Sequence, residues 1–294
     1  MAKFYRVLVG IGIIASLCLT SCTSTQGWVL TQYGDYSGSQ GMFYTLKNQE
    51  TGTLIIVDGG NAGNEQYARH VIQANGGHVT AWFLTHYHGD HVSVFNAVYK
   101  KPDGIKIDKV YATPLEWESF EAVYQYWDTP ETFREFLDIT EEAENVEYLQ
   151  SGDSFEIDDL HIDILSACDA RLKEFYSNEV PDLPNNCSLV FKISGQEDSI
   201  LFCGDAHQDS LADQLIERYG DTLRTEYVQT GHHGNNSFPE YFYDIVAPKE
   251  AFFDAPEWLM TGEKYTAEEL KAYFEERGTR VYDYRTAPKW VKFR

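Results

Sequence analysis

Thr85-His86-Tyr87-His88-Gly89-Asp90-His91 follows directly on the apolar run Ala81-Trp82-Phe83-Leu84. Three imidazoles and a carboxylate fall within six residues, a density that isolated structural histidines do not produce. Val79 to Leu84 reads as a buried strand, so the histidines stand where a strand ends and a loop begins. Residues two apart share one face of an extended chain, which aims His86 and His88 to the same side. Gly89 then turns the chain and brings Asp90 and His91 round to another. Imidazole nitrogen with carboxylate oxygen is ligation of intermediate softness, suited to Zn²⁺ and compatible with Mn²⁺ or Fe. The stretch is expected to hold metal.

Outward from it, three more apolar runs end in residues that carry chemistry: Leu54-Ile55-Ile56-Val57-Asp58-Gly59-Gly60, Ile200-Leu201-Phe202-Cys203-Gly204-Asp205 and Val228-Gln229-Thr230-Gly231-His232-His233-Gly234. Trp28 to Tyr33, Met42 to Leu46 and Thr53 to Val57 read as a strand meander. Further strands are expected at 107–111, 160–165, 188–193, 200–203, 226–229, 251–254 and 280–284, and helices at 64–74, 209–219, 239–246 and 267–277. This mixture predicts an α/β (α+β) domain in which two sheets carry outer helices. Leu115 to Gln150 differs in being acidic, aromatic and helix-biased. It reads as an insertion whose aromatics either pack it against the body or line a substrate pocket as a lid.

The four motif segments, in this order, resemble the metallo-β-lactamase superfamily, whose His-x-His-x-Asp-His pattern is matched in full by His86, His88, Asp90 and His91. The resemblance implies a four-layer αββα sandwich over residues 28–294 and two metal ions, Zn²⁺ in the first instance. It implies that His86 and His88 hold the first ion, Asp90 and His91 the second, and that Asp205 bridges them. One or both of His232 and His233 would complete the second site, and Asp58 would orient the metal loop from behind. Asp90, His232 and His233 are the expected catalytic residues, the spare histidine protonating a leaving oxygen or holding a phosphoryl oxygen. His207 is expected outside the ligand set and is a weaker candidate for that proton.

Two departures from the family pattern stand out. Many members place a further histidine before the strand corresponding to 188–193, where this chain has Pro184-Asn185-Asn186-Cys187-Ser188. The first ion therefore has fewer protein ligands, and Asn185 or Asn186 is expected to contact a phosphate, a metal or a metal-held water. His161, in a strand-like run, is expected to pack within a sheet rather than replace the missing ligand. After His91, Val92-Ser93-Val94 stands in place of a common glycine pair.

Lys3 and Arg6 precede an apolar stretch, Val7 to Leu19, too short and too one-sidedly flanked for a spanning helix. Leu19-Thr20-Ser21-Cys22 resembles the bacterial lipobox. Residues 1–21 are then a signal peptide, Cys22 a diacylated first residue, and 22–27 a tether. This predicts an exported protein, anchored by lipid alone to the outer side of a bacterial membrane, at the cell surface or periplasmic face. An ordinary signal peptide is the alternative. Three cysteines remain, Cys168, Cys187 and Cys203, an odd number that allows at most one disulfide and makes buried inert thiols the default.

Asn185-Asn186-x-Ser188-Leu189-Val190, Gly204-Asp205 and Gly231-His232-His233-Gly234 resemble the hydrolase domain of ComEC-type DNA-uptake proteins and the teichoic-acid phosphorylcholine esterases. Both groups act on phosphodiesters, which two metal ions can clamp while activating water for in-line attack. Charge separates the two. The chain carries 23 Lys and Arg against 46 Asp and Glu, a net −23, and loss of Lys3 and Arg6 with the signal takes it to −25. Such a surface lacks the cations that long nucleic acid requires. A small or choline-bearing phosphodiester, free or in the cell envelope, is therefore the expected substrate. A DNA-uptake-type nuclease, a β-lactam or thioester hydrolase, and a non-catalytic ligand-binding lipoprotein are the alternatives.

Overall fold

The computed structural model describes residues 27–294, so the expected signal segment, Cys22 and nearly all of the tether lie outside the described residues. Its strands are β1 (Trp28–Gln32), β2 (Phe43–Asn48), β3 (Leu54–Asp58), β4 (His78–Leu84), β5 (Lys106–Ala112), β6 (Val146–Tyr148) and β7 (Ser154–Ile157). They continue as β8 (Leu160–Ser166), β9 (Val190–Ser194), β10 (Ser199–Phe202), β11 (Tyr227–Gln229), β12 (Glu250–Phe252), β13 (Arg280–Tyr282) and β14 (Lys289–Phe293). One sheet has the order β14-β1-β2-β3-β4-β5-β6 and the other β13-β12-β11-β10-β9-β8-β7.

The central strands are apolar on both faces, and the alternation divides their side chains between two cores. Ile55, Val57, Ala81 and Phe83 enter a core between the sheets with Phe191 and Phe202. Phe83 stacks on Phe191 at 4.9 Å, and Phe191 on Phe202 at 5.1 Å. Leu54, Ile56, Trp82 and Leu84 point the other way and pack with helix residues such as Ala68, Ile72, Phe95 and Val98. Two sheets face each other and helices cover their outer sides, the expected α/β sandwich.

β1, β2 and β3 form the antiparallel meander. β3, β4 and β5 are parallel, as are β10, β11 and β12. Parallel neighbours bring their carboxyl ends to one edge, which is where open α/β sheets place ligand sites. The loops after β3, β4, β10 and β11 are the four motif segments.

Some elements depart from expectation. Helix Gly89–Lys100 starts within the metal loop and carries Asp90 and His91 in its first turn, although the β-branched Val92 and Val94 come directly after them. Val92, Phe95 and Val98 are fully buried, so tertiary packing outweighs weak propensity. The 115–150 segment is only partly helical, at Trp117–Glu121 and Pro130–Thr140, and closes in edge strand β6. His161 does lie on a strand, β8, but on its outer face, where it meets Glu156 and Asp163 at 2.6 and 3.1 Å. β14 pairs with β1 and extends the first sheet.

The cysteines also resolve differently from inert thiols. Cys168 and Cys187 form a disulfide, with Cα atoms 4.5 Å apart, and Cys203 is free and buried. Thr113 Oγ1 joins both halves of the bridge, accepting from Cys168 N at 3.0 Å and donating to Cys187 O at 2.7 Å. The bridge therefore fixes the loop carrying Asn185 and Asn186 to the segment after β8, and Thr113 ties both to the end of β5.

Candidate metal centre

Asp58 closes β3 at φ 53° and sits beneath the metal loop, fully buried. Its Oδ1 accepts from Thr85 N at 2.8 Å, and its Oδ2 accepts from Thr85 Oγ1 at 2.7 Å and faces His91 Nδ1 at 2.7 Å. A proton held on Nδ1 by this carboxylate leaves Nε2 of His91 free to face the cleft.

From there the side chains converge. His86, His88 and Asp205 form one group whose ligand atoms lie within 4.8 Å of one another, and Asp90, His91 and His233 form a second. Asp205 stands between them: its Oδ2 is 3.8 Å from His86 Nε2 and 3.3 Å from His233 Nε2, and its Oδ1 is 3.2 Å from His91 Nε2. His233 Nε2 is also 3.2 Å from Asp90 Oδ2, which accepts from Gln40 Nε2 at 2.9 Å. Behind it, His233 Nδ1 faces the Asp254 carbonyl at 3.1 Å.

Backbone geometry holds Asp205 in place. Gly204 adopts φ +55°, and a Cβ there would come within 2.8 Å of Ser188 Cβ and 2.9 Å of Thr85 Cβ. Only glycine lets β10 turn this close to the metal loop. Gly231 is similarly confined, since a Cβ would meet Ala206 O at 2.2 Å.

The donor set fits a pair of divalent cations. His86 Nε2 and Asp205 Oδ1 are buried without a hydrogen-bond partner, a costly arrangement unless a cation completes them. Burial, with His91 adding to it, holds the His86 imidazole well below its ordinary value, hence neutral as a ligand must be. Burial works against charging His91, but Asp205, Asp58 and Asp90 outweigh it and hold that imidazole well above its ordinary value. His233 shows the same contest and is pushed up to about 10 by Asp205 and Asp90 against its burial. Burial opposes ionisation of Asp205 as well, yet His233 and His91 keep it well below the carboxylate range. Without metal, protons on His91 and His233 balance the buried carboxylates. Cations would supply the same charge and release those protons.

Of the two neighbouring histidines, His233 enters the second group and His232 does not. His232 lines a cleft of about 370 Å³ with His88, Asp90, Asp205, Asn185, Asp182, Gln40 and Trp127. Burial pushes its imidazole down to about 4. His207 stacks on it, with centroids 4.9 Å apart, and belongs to neither group.

The two asparagines separate. Asn185 faces the cleft, its Nδ2 donating to Asp182 Oδ2 at 3.0 Å and its Oδ1 unpartnered. Asn186 is turned into the fold and is not available to a ligand. Its Nδ2 donates to Pro181 O at 2.8 Å, and its Oδ1 accepts from His207 N and Gln208 N. Asn186 thus staples the two loops instead of contacting phosphate or metal.

Comparison with known proteins agrees with this fold. The family model described as the metallo-beta-lactamase superfamily matches residues 40–228, ending just before His232 and His233. No curated protein matches the sequence. Solved structures share the fold at low identity. The metallo-beta-lactamase fold protein YhfI from Bacillus subtilis has a TM-score of 0.55 at 12% identity, covering 91% of this chain and 100% of that one. CmlA, a diiron beta-hydroxylase from Streptomyces venezuelae, has a TM-score of 0.56 at 13% identity, over 91% of this chain and 54% of that one. Igni18, a metallo hydrolase from the archaeon Ignicoccus hospitalis, has a TM-score of 0.52 at 14% identity, over 91% and 98%. With its His-x-His-x-Asp-His loop, its paired sheets and a family match over most of its length, the chain belongs to the metallo-β-lactamase superfamily.

Proposed function

We propose that the chain is a metal-dependent phosphodiesterase acting on small, cation-bearing phosphodiesters, choline esters foremost, on the outer side of a bacterial membrane to which Cys22 anchors it. The observation that carries the reading is Asp205, which stands within 4 Å of His86, His91 and His233 and so joins two ligand groups at one cleft. Bound there, two divalent cations, Zn²⁺ or alternatively Mn²⁺ or Fe, would polarise a phosphoryl oxygen and lower the pKa of water.

The chain's own residues suit the rest of the reaction. His86 and His88 would hold one ion, Asp90, His91 and His233 the other, and Asp205 both. His232, held neutral, has one N–H to offer a phosphoryl or leaving oxygen. Asn185 has an amide beside the same space. Trp127 and Asp182 line the same cleft, an aromatic side chain and a carboxylate of the kinds that attract a quaternary ammonium group. The net −25 of the mature chain argues against long nucleic acid and in favour of a substrate that brings its own positive charge.

The test is a substrate screen on the metal-loaded chain with a choline phosphodiester, duplex DNA, a β-lactam and a thioester. Turnover of the first without DNA cleavage is the expected outcome. Hydrolysis confined to the lactam or the thioester would overturn the assignment.

A further inference from the structure

The 115–150 insertion reaches the metal loop through one buried carboxylate that belongs to neither ligand group. Asp128 is 2% exposed, and its Oδ1 lies 3.2 Å from His88 Nε2. Both atoms are buried, and neither has a hydrogen-bond partner in the structure, so the carboxylate stands as the close polar neighbour of an otherwise unpartnered imidazole nitrogen. The other carboxylate oxygen, Oδ2, accepts from Gln125 N at 2.5 Å, which fixes the group within the insertion. Thr129 follows, and its Oγ1 accepts from Gly89 N at 2.8 Å. Tyr87, between the two metal-loop histidines, stacks on Phe133 at 4.1 Å with the rings 11° apart. Three consecutive residues of the loop, Tyr87, His88 and Gly89, are thus each gripped by the insertion.

From this we infer that Asp128 is a positioning residue for the metal centre: it holds the proton of His88 on Nε2 and leaves Nδ1 to meet the first ion. A neutral imidazole carries one N–H, so a carboxylate at one nitrogen decides which nitrogen can bind metal. The first site lacks the histidine that many family members place before β9, so the orientation of its remaining ligands carries more of its affinity. The insertion is then a brace for that site as well as a wall of the cleft. This role rests on the dinuclear-metal reading.

Zn²⁺ affinity of the full chain, measured by chelator competition, tests it in wild type, Asp128→Asn and Asp128→Ala, with Tyr126→Ala as a control at an 89% exposed position. Asparagine keeps one acceptor where two donors need one. Both Asp128 variants should bind one of two ions about 10- to 100-fold more weakly, and the control should match wild type. Nitrogen-15 NMR of the metal-loaded wild type reads the tautomer directly and needs no variant to fold: His88 should carry its proton on Nε2. A proton on Nδ1, or Asp128 variants that bind both ions as tightly as wild type, would overturn the role of Asp128 alone. A wild type that binds no metal would overturn the centre and the role of Asp128 together.

Discussion

Asp58 Oδ2 and His91 Nδ1 lie 2.7 Å apart with both side chains fully buried, and the same carboxylate holds Thr85 by its backbone and its hydroxyl. One residue at the end of β3 thereby sets both the start of the metal loop and the tautomer of its last histidine. Asp58→Asn leaves a single acceptor for three donors and lets an amide N–H face His91, favouring the wrong tautomer. Metal affinity should fall about 10- to 100-fold while the ligands themselves remain, as chelator competition would register. An unchanged affinity would mean that Asp58 serves the fold alone.

Gly204→Ala should destabilise the protein by more than about 2 kcal/mol, because it combines a left-handed backbone with a clash against Ser188 and Thr85. Urea unfolding checks the magnitude. Metal content should fall with it, since Asp205 is the next residue.

Removing the bridge with Cys168→Ala and Cys187→Ala together should cost about 3 kcal/mol, the loop-closure entropy for a span of 19 residues. The comparison is urea unfolding of the double variant and the oxidised wild type. Addition of a reductant should lower wild-type stability and leave the variant unmoved.

Asp254 offers a pH test. Burial raises its carboxyl to about 6, against favourable bonds from Gln32 Nε2 at 3.0 Å and Tyr44 OH at 2.7 Å. The folded value lies above the unfolded one of about 3.9, so the folded state holds the proton longer. Stability from this group is full below about pH 4 and is lost as pH rises to about 6, by about 3 kcal/mol. In metal-free protein, Asp254→Asn should remove that decline. Parallel stability curves for wild type and variant across this window would refute it.

The metal loop was legible because four of its ligand atoms lie within six residues, where spacing alone exposes them. Asp205 and His233 are distant in sequence and became readable only through the order of motifs along the chain. Asp128 left no signal, being one acid among many in an acidic segment, and only folding singles it out. The choice between Asn185 and Asn186 was likewise hidden, since adjacent identical residues differ only in where the backbone turns them. Helix Gly89–Lys100 was masked by β-branched residues whose packing, not propensity, makes it helical. Three cysteines allowed one bridge without naming it. Strand β14 is readable in Lys289 to Phe293, where Val291 and Phe293 alternate inward.

The central claim is that Asp205 joins two ligand groups into one dinuclear centre. Elemental analysis of the purified full-length chain, wild type beside Asp205→Asn, tests it most directly. The account predicts two transition-metal ions per wild-type chain, falling to one or none in the variant. A wild type without tightly held metal, or an Asp205→Asn variant that retains both ions, would contradict it.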